Sequence, residues 1–268
     1  MKRAGIDGLG KVPLKWEDIF EYASAIGRIK RSDPDPFFPI GLPINENWFF
    51  SSFTRQAGGR SINDDDFTPR FSSPECIEAL NFWVRLCKKG LAKPDELWSH
   101  VVQDFIRGQR AMLYYTSGGY TFLTKSVDFE VGVWPLPSLT TPAVEIGGAN
   151  FVILANSSQA QQKAAWQFIN WFTQPEQNAE WTMATGYLPI HHQDFQSPSY
   201  KEYITSQPSM EIITSQRDHA YPHTSAPYYG NLLPHLFDAI SESIRGDRTP
   251  EDSLTKLQET ALQLASRL

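Results

Sequence analysis

The run GGANFVILANSSQAQQKAAWQF, residues 147–168, constrains the fold more than any other stretch of the chain. A strand-like segment, NFVILA, stands directly before a helix whose start carries Ser158 and Gln161 at capping-box spacing. The succession recurs elsewhere. AMLYY and DFEVGVWPLP read as strands, while SSPECIEALNFWVRLCKKG and PEQNAEWTMATG read as helices. Strands separated by helices predict an α/β fold. Gly147 and Gly148 precede NFVILA, and glycine beside a strand marks either a turn or a close approach to the backbone.

The clearest helix follows Ser73, the expected N-cap, with Pro74 in its first turn and Glu75 facing the positive end of its dipole. Ile77, Leu80, Val84 and Cys87 form its expected buried stripe, and Lys88, Lys89 and Gly90 end it. Upstream, Trp16, Ile19, Phe20, Ala23 and Ile26 recur at helical spacing. Pro34, Pro36, Pro39 and Pro43 then impose an extended loop. NENWFFSSFTRQAGGR predicts a helix ending at Gly58-Gly59, and SINDDDFTPRF a turn between short extended pieces. After YLPIHH the chain reads as aromatic loop, closing in two helices from LLPHLFDAISESIRG and PEDSLTKLQETALQLASRL.

Composition excludes some function classes. A net charge of −6 without a basic run argues against nucleic acid as a partner. No stretch approaches the roughly 18 apolar residues of a membrane span. The start, MKRAGIDGLGK, is basic but has no apolar segment behind it, so it does not read as a signal peptide. Eight Trp and ten Tyr favour flat amphipathic ligands such as sugars. Cys76 and Cys87 fall in one helix; their eleven-residue separation places them about 16 Å apart along its axis, too far to pair there.

Side-chain chemistry gives no catalytic or metal constellation. His219 and His223 are four apart, but Pro222 lies between them and argues against a helix. His191 and His192 are adjacent and point apart. The acidic run NDDDF lacks the alternating ligand spacing of a calcium loop. There is no GxSxG, and both cysteines sit on an apolar stripe. Glu46 beside Trp48 would be one half of a glycosidase carboxylate pair, and the sequence offers no recognisable second half. Four aromatic–glycine points carry more: Trp48 after an acid, TSGGY after a strand, GGAN before one, and TGYLP after a helix. Loops at strand ends are where α/β folds bind ligands.

In order, WEDIFEYA, RQAGG, SPECIEALNFW, FIRGQRAMLYYTSGG, DFEVGVWPLP, GGANFVI, AAWQFINWFTQPEQNAEW, TGYLPI and RGDRTPEDSL resemble extracellular solute-binding proteins of ABC importers. The closest kinds are carbohydrate and glycerol-phosphate binders, relatives of the maltose-binding protein. The resemblance covers nearly all 268 residues. It implies an α/β two-lobed clamp of the periplasmic-binding-protein type II class, closing on ligand through hinge strands. Residues 1–135 and 189–268 would form the C-terminal lobe. Residues 136–188 would be the hinge crossing and a remnant of the N-terminal lobe. The chain resembles the last two thirds of such a protein, with most of the N-terminal lobe lacking and Met1 at an internal position.

By the same resemblance, Glu46 and Trp48 match an acid and an aromatic that meet the sugar in the maltose binder. Ser117, Gly118 and Tyr120 match a strand-end contact loop, and Gly148 and Tyr187 match cleft positions of the glycerol-phosphate binders. Those binders place a phosphate-binding arginine where this chain reads PYYGNLLPHLF, which argues against a phosphorylated ligand and makes Tyr229 a candidate stacking ring. The implied function is capture of a sugar or sugar-like solute by cleft closure and its delivery to an ABC permease. The implied protein is a monomer without catalytic residues, metal or cofactor. Its implied location is periplasmic, or extracellular and membrane-anchored. Two alternatives stay open: a glycoside hydrolase with a second carboxylate about 5–10 Å from Glu46, and a chain that no longer binds anything.

Overall fold

The computed structural model describes residues 12, 14–29, 36–94 and 97–267. The basic start, Pro34 and Leu268 lie outside them. Along the chain run α1 (Trp16–Gly27), β1 (Ile40–Gly41), α2 (Asn47–Gln56), α3 (Pro74–Lys88), α4 (Trp98–Ile106), β2 (Met112–Leu113) and α5 (Tyr120–Lys125). There follow β3 (Val144–Ile146), α6 (Gln159–Phe172), α7 (Pro175–Thr185), α8 (Pro198–Ser206), α9 (Pro208–Ser215), β4 (Ala220–Pro222), α10 (Tyr229–Arg245) and α11 (Pro250–Ala265). Two compact units result. Unit 1 takes the chain up to Tyr114, Pro135–Ile146 and Asp218 onward; unit 2 takes Tyr115–Trp134 and Gly147–Arg217. These junctions differ from the divisions expected at 135/136 and 188/189. Residues 115–134 go with 147–217 because α5 packs on α7.

Unit 1 is built on two parallel strand pairs. Ile40 and Gly41 of β1 register with Met112 and Leu113 of β2, and Val144–Ile146 of β3 register with Ala220–Pro222 of β4. Around them α2 packs on α3, and α10 and α11 pack on each other and on α3. Ser73 caps α3 as expected, its hydroxyl accepting the Cys76 amide at 3.3 Å. Its buried face is wider than the expected stripe, taking in Cys76, Ala79, Phe82, Trp83 and Leu86 beside Leu80 and Val84. Ile77 and Cys87 fall at its margin, because α2, α10 and α11 all cover this helix. Trp83 meets Phe53 edge-on at 5.4 Å and Phe50 at 5.8 Å, the geometry that ring quadrupoles favour. Each such buried ring contributes on the order of 2 kcal/mol of transfer free energy.

Gln56 knits this unit together. Its side chain accepts from the Trp16 indole at 3.0 Å and donates to the Ala143 carbonyl at 3.0 Å. Its own carbonyl accepts from the amides of Leu139, Thr140 and Thr141. The last turn of α2 is thereby fixed against the segment leading into β3.

In unit 2, α6 packs on α7, α7 on α5 and α8, and α8 on α9. Ser158 and Gln161 form the expected capping box, and Gly186 ends α7 with a left-handed φ of 98°. Two helices, α8 and α9, occupy what the sequence presents as loop. Each begins at a proline in its first turn, and Ser197 caps α8 by accepting the Tyr200 amide. Three expected strands are corrected. AMLYY shortens to Met112–Leu113, while 128–137 and 150–155 form no strand. A strand exists only through ladder bonds to a partner, and no neighbouring chain segment pairs with either stretch among the described residues. Pro135 and Pro137 further remove two donors from the first.

Candidate functional site

In unit 1, Glu46 occupies the N-cap position of α2 with extended backbone, yet its side chain does not cap the helix. It accepts instead from the Trp48 indole N–H at 3.1 Å. Trp48 lies against Phe49 at 4.4 Å and against Trp98, the first residue of α4, at 5.8 Å. Trp98 in turn stacks on Phe49 at 5.8 Å and 25°. Trp48 and Trp98 are both half-buried, whereas Phe49 beneath them is buried. The result is a supported indole platform with a carboxylate fixed at its edge. Such a surface offers a face for sugar C–H groups and an acceptor for hydroxyls.

Adjoining residues of unit 1 form a polar cluster. Tyr229, at the start of α10, is 8% exposed, and its hydroxyl accepts from the Asn47 amide at 3.1 Å. Its ring meets His223 edge-on at 5.0 Å. The His223 imidazole Nδ1–H donates to the Glu145 carboxylate. That bond raises the imidazole pKa, against desolvation, and the Glu145 charge adds to the rise. Tyr221 of β4 places its hydroxyl 3.4 Å from those of Ser51 and Ser52, and its ring lies beneath the Arg55 guanidinium at 4.3 Å. Arg55 is itself held by both oxygens of Asp64 at 2.7 and 2.8 Å. Burial, and then the charge of Glu145, holds the Tyr221 hydroxyl well above the ordinary phenol range. Tyr228 is also buried and donates to the Phe67 carbonyl at 2.6 Å.

Unit 2 brings together the turn Ser117–Gly119, the start of α5 and the end of α7. Thr116 caps the turn through the Gly118 amide. The Tyr187 ring lies so close to Gly118 that a Cβ there would come within 2.4 Å of it, and Tyr115 crowds Gly119 at the same 2.4 Å. At Gly186 a Cβ would meet the Ser117 carbonyl oxygen at 2.5 Å and the Tyr120 Cβ at 3.0 Å. TSGGY and TGYLP thus interlock, and their glycines are required by that approach. Tyr187 also stacks on Trp181 at 6.4 Å and 22°.

Of the sequence candidates, Glu46 and Trp48 touch each other, and Ser117, Gly118, Tyr120 and Tyr187 gather in one place in unit 2. Gly148 is exposed with φ 152° and nothing within 4 Å of a Cβ, so its glycine serves the backbone turn. Tyr229 is a buried wall whose hydroxyl is committed to Asn47, which leaves its ring less open than a stacking role asks. Sequence reading missed Trp98 and Trp181, both tryptophans in helices with half-buried or exposed rings. It also missed the Glu145–His223 pair, separated by 78 residues. Among the described residues, no three His, Cys, Asp or Glu side chains gather as metal ligands, and no helix is long and apolar enough to cross a membrane.

The chain as a whole is similar to known proteins. A profile described as bacterial extracellular solute-binding protein matches residues 2–207. The sn-glycerol-3-phosphate-binding periplasmic protein UgpB of Escherichia coli O1:K1 / APEC is 25% identical over 287 residues, spanning 99% of this chain and 63% of that relative. The crystal structure of UgpB from Mycobacterium tuberculosis in complex with glycerophosphocholine is similar at TM-score 0.81 and 22% identity, covering 95% of this chain and 64% of that one. Maltose-bound MalE3 of T. maritima is similar at TM-score 0.81 and 19% identity, covering 97% and 68% respectively. These likenesses establish the fold as mixed α/β of the periplasmic-binding-protein type. The chain spans less than two thirds of the curated relatives it matches. By the extent of the profile match, the chain belongs to the bacterial extracellular solute-binding protein family.

Proposed function

We propose that this chain is the solute-binding component of an ABC importer, taking a carbohydrate or polyol-like solute without chemical turnover and delivering it to a permease outside the cytoplasm. The observation that carries the proposal is the Trp48–Trp98 platform with Glu46 fixed at its edge. Indole faces bind sugar C–H surfaces, and a carboxylate already oriented by an indole N–H accepts from hydroxyls without a further ordering cost. Within unit 2 by itself, Ser117, the Gly118 backbone and Tyr187 are candidate polar and aromatic contacts to a solute. The binding reading is supported over a hydrolase by the engagement of the Glu46 carboxylate with Trp48. An uncharged solute is favoured because residues 227–237 contain no arginine. Isothermal calorimetry against maltose, glycerol, glycerol 3-phosphate and glycerophosphocholine tests this. Reversible heat with the ligand recovered intact is expected, and release of a cleaved product overturns it.

One observation favours a second reading, a chain that binds no solute by itself. Val152 and Leu154 are 77% and 64% exposed on a stretch that makes no strand pairing among the described residues. Calorimetry that finds no binding by the chain alone, and binding once further family sequence is fused to it, selects this reading.

A further inference from the structure

Most polar side chains of the unit 1 cluster are committed to one another. The Tyr229 hydroxyl accepts from Asn47, the Tyr221 hydroxyl lies 3.4 Å from those of Ser51 and Ser52, and Arg55 is held by Asp64. The imidazole of His223 is committed on one side only. Its Nδ1 is bonded to Glu145, whose side chain is 1% exposed. The imidazole itself is 36% exposed, and its Nε2 bonds to no described residue. Two contacts link this ring to the indole platform. It meets Tyr229 edge-on, and Tyr229 holds Asn47, the residue between Glu46 and Trp48.

The bond to Glu145 gives the open nitrogen two defined states. With Nδ1–H committed to the carboxylate, the neutral ring leaves Nε2 a bare acceptor. The protonated ring turns the same atom into a charged donor and leaves the Nδ1 bond in place. Glu145 raises the imidazole pKa, so the charged state persists to higher pH than in a free imidazole. The other groups around the ring do not titrate with it. Burial pushes the phenols of Tyr221 and Tyr229 up, and Arg55 is matched by Asp64. We propose that His223 is a specificity-determining residue of the unit 1 site, its Nε2–H donating to a solute oxygen beside the indole platform, with Glu145 as its positioning residue, so that capture is tighter in acid than in alkali. The inference rests on the reading of unit 1 as a solute site. Glu46 and His223 then offer the solute one oriented acceptor and one oriented donor. Binding takes up protons wherever His223 is partly neutral beforehand.

The test is titration calorimetry with maltose and with glycerophosphocholine from pH 5.5 to 8.5, a range in which neither ligand titrates. Each titration is run in two buffers of different ionisation enthalpy, which reads proton uptake beside Kd. Wild type is expected to bind about 10-fold more tightly at pH 5.5 than at pH 8.5, because hydrogen bonds from charged donors are roughly twice as strong as neutral ones. His223→Gln should flatten the profile and abolish the proton uptake. Glu145→Gln should move the inflection to lower pH. His100→Gln, at an exposed histidine of α4, should alter neither. A second measurement serves where His223→Gln does not fold: the NMR titration midpoint of the His223 imidazole in wild type should rise on addition of maltose. Binding with one Kd at every pH, a pH profile that survives His223→Gln, or a midpoint unmoved by bound maltose overturns the inference and leaves the solute-binding reading standing. No heat with either ligand at any pH overturns both.

Discussion

His223 Nδ1 is hydrogen-bonded to Glu145, a carboxylate whose side chain is 1% exposed while the imidazole is 36% exposed. The contact joins the middle of β3 to the residue following β4, and Tyr221 and Tyr229 pack around it with Asn47, Ser51, Ser52 and Arg55 from α2. Glu145 raises the pKa of His223, so the folded state favours the imidazolium. The stability this adds is fully present below the unfolded value of about 6.5 and is lost as pH rises through the raised folded value. Urea unfolding from pH 5 to 9 should therefore show wild-type stability falling across neutral pH relative to His223→Gln and Glu145→Gln. Equal pH slopes in all three would show that the pair contributes nothing. His223→Ala, measured at pH 6, should cost about 1 kcal/mol, the value for a pair whose imidazole is 36% exposed and screened by solvent.

Gln56 gives a second prediction. Replacing it with Ala strands two buried groups, the Trp16 indole N–H and the Ala143 carbonyl, which both hydrogen-bond to its side chain. Each stranded group costs about 1–3 kcal/mol, so Gln56→Ala should lower unfolding free energy by roughly 3 kcal/mol in urea titration. A loss within error of a surface substitution would contradict the knitting role assigned to this side chain.

The glycine interlock in unit 2 is tested by two substitutions that act differently. Gly186→Ala forces a Cβ onto a left-handed backbone and within 2.5 Å of the Ser117 carbonyl oxygen. It should destabilise unit 2 by about 2 kcal/mol, with protease sensitivity appearing first in 147–217. In Gly118→Ala the backbone is unstrained but the Tyr187 ring must move, since the Cβ would lie 2.4 Å from it. Here ligand affinity should fall about tenfold, a loss near 1.4 kcal/mol, while the Tm shifts less than in Gly186→Ala. A Gly118→Ala protein with unchanged affinity would remove Tyr187 and Gly118 from the proposed contact set.

The helices were legible because their signals are local. Ser73 before Pro74, Ser158 with Gln161, and Gly186 after α7 each act within one turn, and all three sit where the spacing places them. The strands were less legible because a strand depends on a partner that local sequence does not contain. NFVILA has the composition of a buried strand, and among the described residues it has no ladder to join. In the site, Glu46 and Trp48 are two residues apart and were readable together. Trp98 reaches the same platform from another helix, and His223 reaches Glu145 across 78 residues, so neither contact leaves a trace in local spacing. The compact units divide the chain at other junctions than the expected ones for a related reason. Residues 115–134 join unit 2 through the packing of α5 on α7, a long-range contact.

The indole platform is tested most directly by titration calorimetry of wild type, Trp48→Ala and Trp98→Ala with the best-binding sugar or polyol. The prediction is reversible binding by wild type, in the chain itself or in its fused form. Each alanine variant should bind about 10–100-fold more weakly, a loss of roughly 1.4–2.7 kcal/mol, with Glu46→Gln intermediate and Tm values within a few degrees of wild type. Unchanged affinity in both tryptophan variants, or hydrolysis of the ligand by the wild-type protein, would contradict the account.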